Sequence, residues 1–469
     1  MPPLTAGRAE GTTRAGVVIG VLVVSAFVMF LNETILSVAL RGLSVELDVS
    51  TATVQWLTSG FLLTMAVVIP TTGFLLERYT PRTVFLTSMG LFCAGTLTGA
   101  LAPGFAVLLL GRVAQAGGTA LMLPLLATTV MRLVARERRG AMMGTVAIVV
   151  AFAPALGPTV GGAVLAYLGW RWMFLAVLPL AVAALVAGAV TIRVRSQTRS
   201  VPLDVPSVLL SALGFGGILY GLSSIPESGG RVLAWIPIAG GIVVLVLFVL
   251  RQLSLRRDER ALLDPRPFTN RRFVVALLVS VLLFMCHIGV GSVLLPIYLQ
   301  TVLHQGTFVT GLAVLPGGLV LASLGIPTGR LFDRYGARPL LIPGTAAMAV
   351  SLWVFAALGE GTSLGAVIGV HIVLMTGIGL MMTPLMTEPL AALPGGLYSH
   401  GTAILGTSQQ MAGALGTAVF VTVASLGAAN PAGTPDAAGM RLAFGAAGII
   451  GALAVLCSLC TRPRRTDRS

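Results

Sequence analysis

Two ten-residue stretches with one pattern, GFLLERYTPR at 73–82 and GRLFDRYGAR at 329–338, decide the fold of this chain. Six positions match: a glycine, a leucine, an acid, an arginine, a tyrosine and a final arginine. The offset between the copies, from Gly73 to Gly329, is 256 residues. Chance accounts for two or three such matches at the end of an apolar helix, but not for six. An internal repeat of this kind is typical of transporters built from two related halves.

The composition places both copies in a membrane protein. Of the 469 residues, 56% are hydrophobic and only 10% are charged, and the mean hydropathy is +0.95. A soluble protein carries about 25% charged residues, so a soluble fold is excluded. A spanning helix needs about 20 mostly apolar residues. That length predicts an all-α integral membrane protein with fourteen spans, near 16–40, 54–75, 83–102, 105–128, 140–165, 171–191, 206–224, 232–251, 273–299, 309–329, 339–358, 364–387, 400–428 and 441–461.

The basic residues predict the topology. All 30 are arginine, and with a cytoplasmic N-terminus 25 of them fall on the cytoplasmic side. The outer side holds four, and Arg112 lies inside a span. Because cytoplasmic loops are enriched in positive charge, we expect an even number of spans and two cytoplasmic termini. No basic patch is interleaved with aromatic residues, so nucleic acid is not an expected partner.

The spacing of the repeat also predicts domains. An offset of 256 residues exceeds one six-span half, and the surplus matches the spans at 206–224 and 232–251. We therefore expect an N-terminal six-helix bundle at 1–192, a two-helix insert with its linkers at 193–272, and a pseudo-symmetric C-terminal six-helix bundle at 273–469.

Four motifs resemble those of the major facilitator superfamily, and specifically its fourteen-span drug:proton antiporter branch. The repeated loop resembles G-x-L-a-D-r-x-G-r, with Glu77 and Thr80 in place of Asp and Gly. Span one has LNETILSVAL at 31–40, span four RVAQAGG at 112–118 and span five PALGPTVGG at 154–162. A fifth likeness, to one multidrug-exporter subgroup, lies at HGTA and QQMAG in span thirteen.

The resemblance implies a function and a place in the cell. It implies a monomeric, proton-coupled exporter of small amphipathic drugs or antibiotics in a bacterial cytoplasmic membrane, which works by alternating access. A transporter of a specific metabolite, sugar or siderophore is the alternative. A membrane enzyme is not expected, because the sequence has no carboxylate pair, no His/Cys metal cluster and no nucleotide-binding loop. We therefore expect no cofactor or metal, and the proton gradient as the energy source.

Glu33 and Arg112 are the ionisable residues predicted to couple protons to transport. Charged groups at membrane depth are costly and therefore indicate function. Glu33 precedes Arg41 by eight residues, which puts it about 12 Å below the outer end of span one. Arg112 has a similar depth in span four. We expect Glu33 to carry the proton or a cationic substrate and Arg112 to regulate it; a static buried ion pair is the alternative.

The repeated loops are expected to act as a conformational latch. The glycines permit close helix approach, and the acids can accept hydrogen bonds from a helix N-terminus or a neighbouring Arg; plain positive-inside topology with a tight turn is the alternative. The latch residues are Gly73, Glu77, Arg78, Arg82, Gly329, Asp333, Arg334 and Arg338. In span five the resemblance implies a seal between the halves, made by Pro154, Gly157, Pro158, Gly161 and Gly162, although small residues also pack helices without any such role.

Spans 1, 4, 5, 9, 12 and 13 are expected to line a substrate cavity. Methionine provides adaptable apolar contact, which suits a promiscuous site, and amides and imidazoles provide polar contact. Packing or lipid exposure is the alternative for each residue. Glu388 is a candidate second acid. The candidate contacts are Asn32, Gln115, Met122, His287, Met375, Met381, Met382, Gln409 and Gln410.

Overall fold

The computed structural model describes residues 6–49, 51–193, 204–224, 235–255, 262–428 and 435–461. These residues form helices and loops, and no strand occurs among them. The side chains of Pro154 and Pro158 lie outside the described part, as do many of the loop arginines on which the topology prediction rests.

The N-terminal half contains eight helices among its described residues: α1 (Ala6–Ile35), α2 (Leu40–Glu46), α3 (Thr51–Val68), α4 (Thr72–Arg78), α5 (Pro81–Ala100), α6 (Phe105–Leu133), α7 (Arg139–Leu168) and α8 (Arg171–Thr191). Two helices follow, α9 (Val205–Ser224) and α10 (Trp235–Leu255). The C-terminal half has α11 (Arg271–Cys286), a π-helical segment (His287–Leu294), α12 (Leu295–Thr301), α13 (Thr307–Tyr335), α14 (Arg338–Ala357), α15 (Leu364–Ala391), α16 (Tyr398–Leu426) and α17 (Ala437–Leu459).

Twelve helical segments of the described chain are long and apolar enough to cross a membrane. Each coincides with a predicted span. The fifth predicted span is occupied by α7, a continuous helix of 30 residues, and the seventh by α9, whose apolar stretch Val205–Ile218 is shorter. The all-helical membrane fold is thus confirmed, while the number fourteen stays a prediction.

Helix starts follow ordinary capping chemistry. The Thr80 hydroxyl accepts a hydrogen bond from the Thr83 amide, and Pro81 is the first residue of α5. Asn270 caps α11 and Ser363 caps α15 in the same way. These side chains satisfy amides that have no acceptor inside the helix, and so each loop ends at a defined residue.

The two halves cross through glycines of α7 and α13. A Cβ atom at Gly144 would lie 2.2 Å from the Gly325 carbonyl oxygen, and one at Gly329 would lie 2.3 Å from the Gly140 carbonyl oxygen. Each helix therefore presents two glycines four residues apart, the spacing that allows the closest approach of membrane helices. We call the end of the molecule where this crossing and the loops 78–82 and 334–338 lie the motif end.

Candidate transport site

Arg112 joins three helices of the N-terminal half. It is 1% exposed, and its guanidinium donates to the Leu57 carbonyl of α3 at 3.2 Å and to the Asn32 side-chain oxygen of α1 at 3.2 Å. It also donates to the Gln115 side chain at 3.0 Å, while Gln115 donates to Thr96 of α5. A buried charge is tolerable only when its hydrogen-bonding capacity is met, and these acceptors meet it.

Glu33 lies beside this network, but its carboxylate is not bonded to Arg112. The Arg112 guanidinium donates instead to the Glu33 backbone carbonyl, at 3.2 Å. A static buried ion pair, the alternative interpretation from the sequence, is therefore not what this arrangement holds. The Glu33 side chain borders a central cavity, where it is available to a proton or a ligand.

The central cavity has a volume of about 110 Å³ and lies between the two halves. Its walls are apolar apart from a few groups: Glu33, Thr119, Thr402, Gln409 and Gln410. All six spans expected to line it contribute, together with Met65 and Ile69 of the second span. Drug-sized ligands occupy pockets of about 300–1,000 Å³, so the halves must move apart before such a ligand fits.

Two of the nine candidate cavity residues, Gln409 and Gln410, border this cavity. Gln409 also donates to Ser280 of α11 at 3.1 Å. The other seven do not border it, which corrects the expectation for this arrangement of the helices. Asn32 and Gln115 belong to the Arg112 network, and His287 begins the π-helical segment. The four methionines pack in the core: Met122, Met375, Met381 and Met382.

Several cavity residues were missed from the sequence. They are mainly apolar side chains of helices that are hydrophobic on all sides, so no polar face marks which way they point. The missed lining residues include Phe30, Met65, Leu123, Met143, Phe284, Met386 and Leu390.

Asp333 forms the predicted contact with a helix N-terminus. One carboxylate oxygen accepts from the Gly140 amide and the other from the Ala141 amide, both at 2.8 Å. These amides belong to the first turn of α7, where they lack acceptors within the helix and carry the positive end of its dipole. The contact thus bridges the two halves at the motif end.

Glu77 makes the equivalent contact, but through a histidine. Its carboxylate lies 3.1 Å from Nε2 of His400, in the first turn of α16. His400 Nδ1 accepts from the Asp264 amide at 3.2 Å, which places the ring proton on Nε2, facing Glu77. Gly73 makes room for this ring, because a Cβ there would lie 3.0 Å from His400 Nδ1.

The arginine side chains of the two loops lie mainly at the surface. Arg78 lies over the Tyr79 ring at 5.8 Å and Arg334 over the Tyr335 ring at 5.1 Å, equivalent cation–π contacts in both copies. Arg82 is exposed, and Arg338 begins α14.

The glycines of span five differ in their surroundings. A Cβ at Gly157 would lie 2.0 Å from Thr34 Oγ1, so this glycine lets α7 lie against α1 beside Glu33. Gly161 is buried, whereas a Cβ at Gly162 would meet nothing within 4 Å. A packing role is thus assigned to Gly157 and not to Gly162.

A second cavity, of about 570 Å³, opens at the motif end and is more polar. Glu388 borders it, as do Asp333, Arg136, Arg139, Arg271 and Arg272. Glu388 is therefore separate from the central cavity.

Helices α9 and α10 are connected to the Glu77 contact by hydrogen bonds. Arg251 of α10 donates to both oxygens of Asp204 at 2.7 Å, and these bonds hold the pKa of Asp204 well below its ordinary value. The next residue, Gln252, accepts from the Leu263 amide at 3.1 Å. Leu263 precedes Asp264, whose amide donates to His400.

Asp264 anchors this connection. Burial disfavours its ionised form, but the hydrogen bonds from Arg266 outweigh burial and hold the pKa of the carboxyl below its ordinary value. The ion pair with Arg266 is 2.5 Å long.

Comparison with known proteins agrees with this arrangement. The family model of the Major Facilitator Superfamily matches residues 22–417. The chain belongs to this superfamily. The lincomycin resistance protein LmrB of Listeria monocytogenes is 40% identical over 457 residues, which cover 95% of this chain and 96% of that protein. A multidrug resistance protein B homolog of Mycobacterium tuberculosis is 31% identical over 86% of this chain and 74% of its own length.

Solved structures of other transporters share the fold. The proton:xylose symporter XylE superposes with a TM-score of 0.66 at 15% identity, covering 95% of both chains. The human organic anion transporter MFSD10 gives 0.67 at 15% identity, covering 95% of this chain and 99% of that one. The resemblance inferred from the motifs is thereby confirmed at the level of family and fold, and the chain is a multi-pass membrane transporter.

Proposed function

We propose that this transporter exports small amphipathic drugs or antibiotics across a bacterial cytoplasmic membrane in exchange for protons. The observation that carries the proposal is the central cavity: it is apolar, it lies between the halves, and its one acidic group among the described residues is Glu33. A drug with apolar surface and a positive charge matches such a cavity. The names of the relatives, a lincomycin resistance protein and a multidrug resistance protein B homolog, agree with drugs as the cargo.

Proton coupling is assigned to Glu33. The Arg112 network holds the backbone of Glu33 and leaves its carboxylate at the cavity wall. A carboxylate there can bind either a proton or a cationic drug, and exclusive binding of one or the other is what exchange requires. Arg112 stays bonded to neutral acceptors and acts on the Glu33 carboxylate through its positive charge, without a hydrogen bond to it.

The motif end is proposed to be cytoplasmic, with the chain acting as a monomer of fourteen spans and both termini inside. In this arrangement the Asp333 and Glu77 contacts close the cytoplasmic side, and breaking them admits the drug. The transporter needs no cofactor, since the proton gradient supplies the energy.

The test is export from a bacterium that lacks its own multidrug pumps. Cells expressing the chain are profiled against lincomycin, ethidium and a panel of other antibiotics, with and without a proton uncoupler. We expect resistance that the uncoupler abolishes and that Glu33→Gln lowers at least tenfold. Unchanged sensitivity to every drug would refute drug export, and resistance that survives in Glu33→Gln would refute the coupling role.

A further inference from the structure

His287 and His371 are two histidines of the C-terminal half whose buried ring nitrogens lack partners. His371 is 1% exposed, and neither of its ring nitrogens has a hydrogen-bond partner within the described chain. The buried Nδ1 of His287 likewise has none. Buried polar groups are almost always bonded, so two such rings in one region indicate a function.

The two histidines lie close together around one methionine. A Cβ at Gly317 would lie 2.4 Å from His371 Nδ1 and 2.9 Å from Met375 Cγ. A Cβ at Gly291 would lie 2.8 Å from Met375 Cε and 4.0 Å from His287 Nδ1. The absence of side chains at both glycines gives the rings their space, and the Met375 side chain lies beside both glycines.

Their position repeats that of the Arg112 network. Arg112 is the eighth residue of α6, and His371 is the eighth residue of α15; each helix is the second one after a motif loop. The 256-residue offset of those loops carries Asn32 to a position adjacent to His287. His287 and His371 thus lie within one helical turn of 288 and 368, the positions that the offset gives for Asn32 and Arg112.

The backbone at His287 is unusual. The π-helical segment begins at this residue, and Leu295 donates to the Val290 carbonyl, five residues back. Pro296 has no amide proton with which to continue the ordinary α-helical pattern. Short π-helical segments occur frequently at functional sites. One turn before His287, Phe284 lines the central cavity.

No carboxylate among the described residues neutralises the pair. Helices α11 to α17 pack against one another in this half, and Cys286, next to His287, places its thiol toward the Ala447 carbonyl oxygen. The other ionisable side chains of these helices among the described residues lie toward the helix ends: Arg271, Arg272, Tyr298, Arg330, Asp333, Arg334, Tyr335, Arg338, Glu388, Tyr398, His400, Arg441 and Cys457. A buried imidazolium without a counter-ion is costly, so both rings are neutral in this closed arrangement.

We propose that His287 and His371 form a second proton-binding site, which is empty when the halves are closed and takes up a proton when opening admits water. The inference rests on the proposed proton-coupled export, and it places one titratable site in each half. The N-terminal half binds its proton at Glu33, on the wall of the central cavity. The C-terminal half binds a second proton at the histidines, one helical turn from that wall.

The first test observes the imidazoles directly and needs no drug. The chain has four histidines, so nitrogen NMR of ¹⁵N-histidine-labelled protein in lipid nanodiscs resolves each ring, assigned by single substitutions. We expect one of the pair to change from neutral to cationic between pH 8 and pH 5. We also expect His371→Gln to shift the His287 titration, because interacting sites titrate together. Both rings remaining neutral throughout would overturn the proposal.

The second test measures coupling in inverted membrane vesicles with radiolabelled lincomycin. We expect His287→Gln and His371→Gln each to lower gradient-driven uptake at least tenfold while lincomycin exchange without a gradient continues. The matched control is His304→Asn, at an exposed loop position with φ of 52° that asparagine tolerates. Undiminished gradient-driven uptake in both variants would overturn the coupling role. Absence of lincomycin transport by the wild type would count against the proposed function, while the NMR titration would still support the proton site.

Discussion

The Asp333 contact allows a prediction whose size follows from the structure. Replacing Asp333 with alanine removes the acceptor of the Gly140 and Ala141 amides, both bonded at 2.8 Å. A hydrogen bond to a charged group contributes about 1.5–3 kcal/mol. Because Asp333 is half-buried, the lower value applies to each bond, which gives about 3 kcal/mol for the closed motif end. At 1.4 kcal/mol per factor of ten, the closed arrangement loses about a hundredfold in population relative to open ones.

Hydrogen–deuterium exchange of the peptide containing Gly140 and Ala141 measures this loss. These amides have no acceptor within α7, so we expect their exchange in Asp333→Ala to be about a hundredfold faster. Asp333→Asn retains one carbonyl oxygen, so the exchange rate of these amides in this variant should lie between those of the wild type and Asp333→Ala. The matched control is Asp436→Ala, which removes a similar cap from the Gly439 amide of α17. Exchange at Gly140 and Ala141 that is equal in wild type and Asp333→Ala would refute the latch.

Three further predictions concern the other contacts of the motif end. Gly144→Val should separate α7 from α13, since its Cβ would lie 2.2 Å from a backbone oxygen and overpacking costs about 1–3 kcal/mol. Crosslinking between cysteines engineered into α7 and α13 should therefore fall at least fivefold. The control Gly90→Val, whose Cβ would meet nothing within 4 Å, should leave the crosslinking unchanged. His400→Leu should speed the exchange of the Asp264 amide about fivefold, because this amide loses its Nδ1 acceptor and a hydrogen bond contributes about 1 kcal/mol; unchanged exchange would contradict the contact. Gln252→Leu should remove the acceptor of the Leu263 amide and speed the hydrogen–deuterium exchange of that amide about tenfold. Unchanged exchange would contradict the hydrogen-bonded connection between α10 and the Glu77 contact. Drug resistance of cells expressing the same variant shows whether α9 and α10 act on the latch.

Some features of the site could be predicted from the sequence because they repeat. The acids of the two loops could be placed at one end of the molecule from the 256-residue offset, and Asp333 meets a helix N-terminus as expected. Its partner could not be named, although Gly140, Gly144, Gly325 and Gly329 carry a readable signal, two glycines four residues apart on each helix. In the sequence, His400 is recognisable only as part of a motif, because its role depends on contacts between distant segments.

The cavity was harder to predict for a physical reason. In a helix that is apolar on all sides, the sequence does not distinguish the face toward lipid from the face toward a cavity. Residue type alone therefore predicts Met122 and Met382 as cavity residues, yet both lie in the core. The methionines that line the cavity are Met65, Met143 and Met386. Polar residues constrain orientation better, and the adjacent amides Gln409 and Gln410 do lie at its wall.

The locations of the contacts determine what opening can change. The Asp333 and Glu77 contacts join the two halves, so any separation at the motif end breaks them. The Arg112 bonds lie entirely within the N-terminal half, and a rigid movement of that half leaves them intact. A cavity of about 110 Å³ excludes a drug until this separation occurs. We therefore assign the proposed proton coupling to groups whose surroundings change when the halves part, and not to breaking of the Arg112 network. Glu33 at the cavity wall has this property, and His287, one helical turn from the wall, shares it.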